Sequence, residues 1–320
     1  MITIFLIVFI VFTISRSAGD PVAAYVTPDT PKEIIEVIRK KYHLDESIPV
    51  QFIYWLNGVA HGDWGRAYGL GRRPVADLIE RYLPLTLELN LYVFVIALPL
   101  SYWIATKAAT HKDTSIDHAA RVLSLIGQCF PQFFIGILFL AFLYRRDWIV
   151  IDPSWAFQKI TGMPTVDAIL NGDLEGFVVA LKYLIGPLVV LTIASLSMSM
   201  RILRSSILEE LSKDYIMTGR SKGLSKDYVE KRYARRNALI PFVTLMGFWV
   251  ANLISGSAIV EVVFNRYGLG NIMAMAARST DHNTIQALTV IYTIALIFTN
   301  FIVDIVYGFI DPRIKYGEKR

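Results

Sequence analysis

The sequence predicts an all-α integral membrane protein with six transmembrane helices, a charged cytoplasmic loop of helical character and an external amphipathic segment after the first span. Three observations lead there. The chain has 320 residues, of which 54% are hydrophobic and only 18% charged, with a mean hydropathy of +0.46. Soluble domains carry about 25% charged residues. The apolar residues also gather into runs near the roughly 20 residues needed to cross a bilayer. Finally, basic residues concentrate in alternate loops.

The six runs are Met1–Ile14, Thr86–Thr106, Val122–Tyr144, Phe177–Met200, Ala238–Val260 and Ile285–Ile310. The second holds a single charge, Glu88, the fourth only Lys182 and the sixth only Asp304. A soluble helix of such length would show a polar face, and these do not. The first run is short. At 1.5 Å per residue it reaches only about 21 Å, against a hydrocarbon core of about 30 Å. No basic residue precedes it, as one would in a signal peptide. The expectation is a short basic segment ahead of Met1 in the native chain. The alternative is a short helix in a locally thinned bilayer.

Orientation follows from Lys and Arg, which stay in the cytoplasm. The loop after the second run holds Lys107, Lys112 and Arg121. The loop after the fourth holds Arg201, Arg204, Lys213, Arg220, Lys222, Lys226, Lys231, Arg232, Arg235 and Arg236, and the tail holds Arg313, Lys315, Lys319 and Arg320. The opposite side is poorer: Arg145–Glu175 has three basic residues and five acidic, and Phe264–Thr284 has two basic. The segment Ser17–Pro84 is long, and long segments translocate largely regardless of charge. Both termini and the loop 201–239 therefore face the cytoplasm of a multi-pass cell-membrane protein. The net charge of +5 follows from this topology and calls for membrane lipid around the chain, not nucleic acid.

The expected divisions are a first span (1–15), an external segment (16–85), a permeation domain of five further spans (86–310) and a cytoplasmic tail (311–320). In the external segment, Ile34, Ile35, Ile38 and Tyr42 recur at helical spacing, with Thr30 as a candidate cap, Pro31 in the first turn and Glu33 three residues on. A second stretch, from Ile48 to Gly65 with Trp55 and Trp64, suits the outer interface. The one cysteine, Cys129, excludes an intrachain disulfide and a cysteine metal cluster, and its place in the third run marks it as a buried packing residue.

The charged loop reads as helix, sharp turn, helix. Lys213–Gly223 makes about two turns, Gly223 suits a left-handed stop, and Leu224 is the apolar residue that often follows. Ser225 can cap the next helix, with Asp227 in its first turn, and that helix runs through Pro241 into the fifth span. A loop serving only the charge rule could be a few residues long. A DNA-binding helix-turn-helix would require its first helix to leave the membrane. The remaining reading is a short helix shown to a cytoplasmic partner.

That block resembles the cytoplasmic "EAA" loop of ABC importer permeases, in the form found in the dipeptide and oligopeptide permease family. It reads DYIMTGRSKGL from Asp214 and YARRNALIP from Tyr233. Six further stretches are similar to the family's motifs and stand in order: GDP at Gly19, HGDWG at His61, LPLTLEL at Leu83, SGSAIVEVVF at Ser255, YGLGN at Tyr267 and IVDIVYGFIDPRIKYG at Ile302. Two positions depart. Gly219 stands where the family has Ala, at a cost of about 1 kcal/mol inside a helix, and Arg266-Tyr267 stands where a Pro is usual.

The resemblance implies one of two homologous permease subunits, two ATP-binding subunits docked below and an extracellular solute-binding protein. The cargo is a di- or oligopeptide by preference, with oligosaccharide as an alternative. ATP and Mg belong to the partner subunits, since this chain has no GxxxxGK[ST] phosphate loop. The coupling helix, about Ser212–Gly223, would dock through Leu211, Asp214, Tyr215, Thr218, Gly219, Arg220, Lys222 and Gly223. Leu211, Tyr215 and Thr218 share a face by spacing.

Candidates for the path are the polar residues within spans: Gln128, Ser195, Ser199, Asn252 and Asn300. For any one of them a helix–helix hydrogen bond is the favoured alternative. Glu88, Lys182 and Asp304 near span ends are read as interfacial or paired. Pro99, Pro131 and Pro187 fall mid-run, where they permit kinks or serve ordinary packing. The spans lack the ionisable residues of a stand-alone carrier or channel. No catalytic residue or metal site is expected: the five histidines fall in predicted loops, and neither HExxH nor GxSxG occurs.

Overall fold

The structure is a computed structural model that describes residues 2–17, 19–26, 29–146, 148 and 158–310. The tail motif from Asp311 lies outside the described residues. So do the side chains of Asn252 and Asp304.

The architecture is helical. α1 (Ile2–Ser17) leads to a short 3-10 turn (Pro21–Ala24), whose first amide is capped by Asp20, then to α2 (Lys32–Lys41) and α3 (Ile48–Ala60). Pro31 occupies the cap position of α2, so Thr30 sits one residue further out than the sequence suggests. Phe52 of α3 is buried against Phe5, Phe9, Phe12 and Trp55, which docks α3 onto α1. A two-stranded antiparallel ribbon, β1 (Arg66–Ala67) with β2 (Arg73–Pro74), pairs Arg66 with Pro74 and Ala67 with Arg73.

α4 (Val75–Thr110) then runs unbroken for 36 residues through Pro84 and Pro99. α5 (Ser115–Cys129) and α6 (Gln132–Tyr144) follow. α7 (Pro164–Leu170) is short, and α8 (Leu174–Leu211) has 38 residues and contains Pro187. α9 (Asp214–Ser221), α10 (Lys226–Val229) and a π-turn (Glu230–Ala234) lead into α11 (Arg235–Ser255). α12 (Ala258–Val263), α13 (Leu269–Arg278) and α14 (His282–Ile310) complete the chain.

Among the described residues, α4, α8 and the portion His282–Val303 of α14 are long and apolar enough to cross a bilayer. Their outward side chains fit that reading: Leu91, Val95, Trp103, Phe298 and Phe301 are large, apolar and exposed. The third run is different. α5 and α6 meet at an angle of 101° across Phe130 and Pro131, so Val122–Tyr144 is not one continuous rod. Pro131 has no N–H and occupies the cap position of α6, where it starts a new helix rather than kinking an old one. Cys129, expected to be buried, is exposed at the end of α5 beside this break. The preceding loop is also shorter than expected: α5 begins at Ser115 and carries His118 on a helix.

Two of the apolar clusters join the long helices to one another. One joins Leu98 and Ala105 of α4, Met200, Leu203 and Ile207 of α8, and Ala238 and Phe242 of α11. The other joins Leu89, Val93 and Ala97 of α4 to Leu184 and Leu188 of α8 and Val260 of α12. Small residues bring the helices close. An added Cβ at Gly127 would stand 2.0 Å from Ser197 Oγ on α8.

Buried charge organises the end of the molecule where α4 meets α7 and the α12–α13 turn. Glu88 on α4 is paired, as read, but with a partner from the far end of the chain. Arg266 Nη2 donates to Glu88 Oε2 at 3.0 Å, and both side chains are 1% exposed. Arg266 also donates to the Leu85 carbonyl and lies over the Tyr183 ring at 4.4 Å. Glu88 Oε1 accepts from the N–H and the hydroxyl of Thr165, both at 2.7 Å. The Arg266 that replaces a usual Pro therefore joins α4, α7, α8 and the α12–α13 turn. Beside it, Glu261 is buried and accepts from the Asn271 and Ser257 amides, capping the first turn of α13.

Candidate coupling block and translocation path

The loop between α8 and α11 folds as its residues dictate. Asp173 caps the start of α8 by accepting from the Gly176 N–H, and the helix then extends without interruption to Leu211. Only Ser212 and Lys213 separate it from α9. Lys213 pairs with Glu210 at 2.5 Å, which raises the lysine pKa above its ordinary value. α9 stops where the sequence reading placed the stop. Gly223 has φ +80°, a left-handed conformation that a Cβ disfavours. Ser225 caps α10 by accepting from the Tyr228 N–H at 3.3 Å.

The inner face of α9 is Ile216 and Gly219. Ile216 is 1% exposed and packs against Val229 and Ala234, with Leu211 alongside. Gly219 is buried, and a Cβ added there would lie 3.4 Å from Val229 Cγ2, an ordinary contact. The Gly at this departure from the family pattern is thus tolerated rather than required.

The outer face holds Asp214, Tyr215, Met217, Thr218, Arg220 and Lys222, all exposed. Tyr215 shares a hydrogen bond with Glu210 and accepts from Asn237 Nδ2 at 3.1 Å. Burial and that carboxylate raise the Tyr215 pKa. Thr218 Oγ1 donates back to the Asp214 carbonyl at 3.0 Å. Of the eight residues named from sequence, Leu211 and Gly219 face the block's own core. Gly223 makes the turn, and the other five share the exposed surface. Met217, 64% exposed, was missed because an apolar residue in a helix reads as core.

The block is tied to the membrane helices. Arg204 on α8 clamps Asp117 on α5 with two bonds, Nε to Oδ1 at 2.5 Å and Nη2 to Oδ2 at 2.8 Å. Asp117 is fully buried, and the guanidinium holds its carboxyl below the ordinary carboxylate range.

The proposed path residues scatter. Gln128 bridges helices: its Nε2 donates to the Ser197 carbonyl at 3.3 Å, and its Oε1 accepts from Arg201 at 2.6 Å. Ser199 is fully buried, and Asn300 is exposed on α14. Among the four whose side chains are described, Ser195 alone lines a cavity, of about 180 Å3, together with Asn90, Gln132, Trp249 and Ser257. The sequence reading missed three of those polar neighbours. Gln132 follows the Pro131 break and Ser257 follows Gly256, at φ +73°, so a chain break beside a polar residue was the available signal.

With that geometry in place, the relatives can be compared. A probable D,D-dipeptide transport system permease protein, DdpB of Escherichia coli (strain K12), is 32% identical over 310 residues, covering 93% of this chain and 89% of that protein. The oligopeptide transport system permease protein AppB of Bacillus subtilis (strain 168) is 32% identical over 306 residues, 95% of this chain and 93% of AppB. The glutathione transport system permease protein GsiC of Salmonella choleraesuis (strain SC-B67) is 32% identical over 299 residues, 93% of this chain and 90% of GsiC. The family model described as "Binding-protein-dependent transport system inner membrane component" matches residues 91–316, a range that takes in the whole helix–turn–helix block, and the chain belongs to that family.

Proposed function

We propose that this chain is the permease subunit of an ABC importer for a peptide-sized solute, with di- or oligopeptide as the favoured cargo. The observation that carries the reading is the α9 block. It is a short helix with a built core, an exposed charged and aromatic outer face, and rigid connections to two long helices. The names of the three relatives, which refer to a dipeptide, oligopeptides and glutathione, support a peptide class of cargo.

In this reading the chain crosses the membrane six times, with α1, α4, the bent α5–α6 pair, α8, α11 and α14 as the crossings and both termini in the cytoplasm. A homologous permease completes the path. Two ATP-binding subunits dock on Asp214, Tyr215, Thr218, Arg220 and Lys222, bind ATP and Mg, and carry out hydrolysis. An extracellular solute-binding protein delivers the cargo. The permease itself carries out no hydrolysis.

Force enters at α9. Because α9 is locked to α10 by Ile216 and Val229 and is two residues from the end of α8, a displacement of α9 carries α8 and α11 with it. The Arg204–Asp117 clamp passes the same displacement to α5. The π-turn Glu230–Ala234 is the irregular element in this train, and such turns are frequent at functional sites. ATP can shift the permease between outward and inward states only through a difference in binding to the two.

The test is a pull-down of the tagged chain from mild detergent, with mass spectrometry of the co-purified proteins. A second permease and ATP-binding chains are expected, and Gly223→Pro is expected to uncouple transport from ATP hydrolysis. A chain that purifies alone, with transport intact in Gly223→Pro, overturns the reading.

A further inference from the structure

The external end of the molecule contains a second and larger cavity, of about 980 Å3. It opens between the β2 ribbon, the first turns of α4, the loop before α7, and the ends of α8 and α13. Cavities of roughly 300–1,000 Å3 are the size that holds small ligands. Its lining carries both signs of charge: Arg73, Asp77, Glu80, Arg81 and Lys159, all solvent-exposed, and the buried Asp167. Arg81 lies over the Tyr82 ring at 5.7 Å, whereas Arg73, Asp77, Glu80 and Lys159 make no ion pair or side-chain hydrogen bond among the described residues. That separates them from Glu88 and Arg266 immediately beneath, which neutralise each other.

The charges come from different elements. Asp77 and Glu80 lie one turn apart on α4, Arg73 precedes that helix, and Lys159 comes from the loop before α7. That loop is held in place. Buried Asp167 accepts from the Thr161 and Gly162 amides at 2.6 and 3.0 Å and from the Thr161 hydroxyl at 2.6 Å. Tyr183 and Tyr267 add aromatic surface to the lining, and the Tyr183 hydroxyl accepts from the Tyr267 N–H at 3.2 Å, fixing the two together.

We infer that this cavity is a cargo-receiving site for a short zwitterionic peptide. Arg73 and Lys159 meet its terminal carboxylate, Asp77 and Glu80 meet its terminal ammonium, and Tyr183 and Tyr267 flank its side chains. A dipeptide spans about 7 Å when extended, well within a cavity of this size. A neutral oligosaccharide offers no ionic partner to these four solvent-exposed charges. The inference rests on the importer reading and deepens it: the permease reads the peptide's termini itself, on the outer face, in addition to any selection by a binding protein.

The experiment uses the complete transporter in lipid nanodiscs, without binding protein, and titrates it calorimetrically with L-alanyl-L-phenylalanine, with its N-acetyl and C-amide derivatives, and with maltotriose. The free dipeptide is expected to bind, each blocked derivative at least about tenfold more weakly, and maltotriose not at all. Asp77→Asn with Glu80→Gln should abolish discrimination against the N-acetyl derivative. Arg73→Gln with Lys159→Gln should abolish discrimination against the amide. The comparison of peptides on the wild-type transporter stands even if a variant folds poorly. Absence of dipeptide binding, or equal binding of the blocked derivatives, overturns the inference. Variants that instead weaken docking of the binding protein, with no dipeptide binding in the wild type, reassign the cavity to that partner. In either case co-purified ATP-binding subunits leave the importer reading intact, whereas their absence removes it.

Discussion

Arg266 reaches back along the chain to Glu88, and the two charges meet at 3.0 Å with each side chain 1% exposed. The pair holds the turn after α12 against α4. Removing one partner of such a pair strands a buried charge, which costs about 3–5 kcal/mol, whereas replacing both with apolar or neutral groups of similar volume is often close to neutral. Arg266→Met alone is therefore expected to lower the thermal stability of the purified transporter sharply. Glu88→Gln added to it should recover most of the loss. Additive losses in that double-mutant cycle would show that the two residues do not act as a pair.

Gly268 closes the same region by being small. An added Cβ there would stand 2.6 Å from Glu261 Oε2 and 2.8 Å from Thr86 Oγ1. Overpacking of this kind costs about 1–3 kcal/mol. Gly268→Ala should lower the melting temperature of the detergent-solubilised protein.

The α9 block makes an opposite pair of glycine predictions. Gly219 is buried with room for a methyl group, so Gly219→Ala should be neutral or stabilise α9 by up to about 1 kcal/mol. At Gly223 the left-handed φ makes Ala unfavourable by about 1–2 kcal/mol. Melting temperatures of the two variants, compared with wild type, should move in different directions. The ratio of ATP hydrolysed to cargo moved should rise only for Gly223→Ala.

The Asp117–Arg204 clamp predicts a pH dependence. Its carboxyl is depressed below the ordinary carboxylate value by the guanidinium. A depressed carboxyl contributes its full stabilisation above that ordinary value, and loses it as pH falls through the lower folded value. Asp117→Asn should cost about 1.5–3 kcal/mol near neutrality, as a charge-assisted bond does. Melting curves of wild type and Asp117→Asn should differ by a constant amount from about pH 8 to pH 5 and converge below about pH 4. A difference that persists undiminished in acid would contradict an ionic origin.

The sequence by itself determined the membrane class, the helical content, the place of the short helix α9 and its stop at Gly223. These are local properties. Run length, charge sidedness, left-handed glycine and side-chain capping each act within a few residues, so they can be read one stretch at a time. It also carried the family, through motifs in the right order. Only the tertiary structure decided that the third run breaks at Pro131, which leaves Cys129 exposed, and that Arg266 pairs with Glu88. Only the fold brings Arg73, Asp77, Glu80 and Lys159 around one cavity. These features join residues up to 178 positions apart, and which of them meet is set by helix packing and by the angle at a break. A single charge looks the same in sequence whichever residues stand beside it, because the chain brings those neighbours together only on folding.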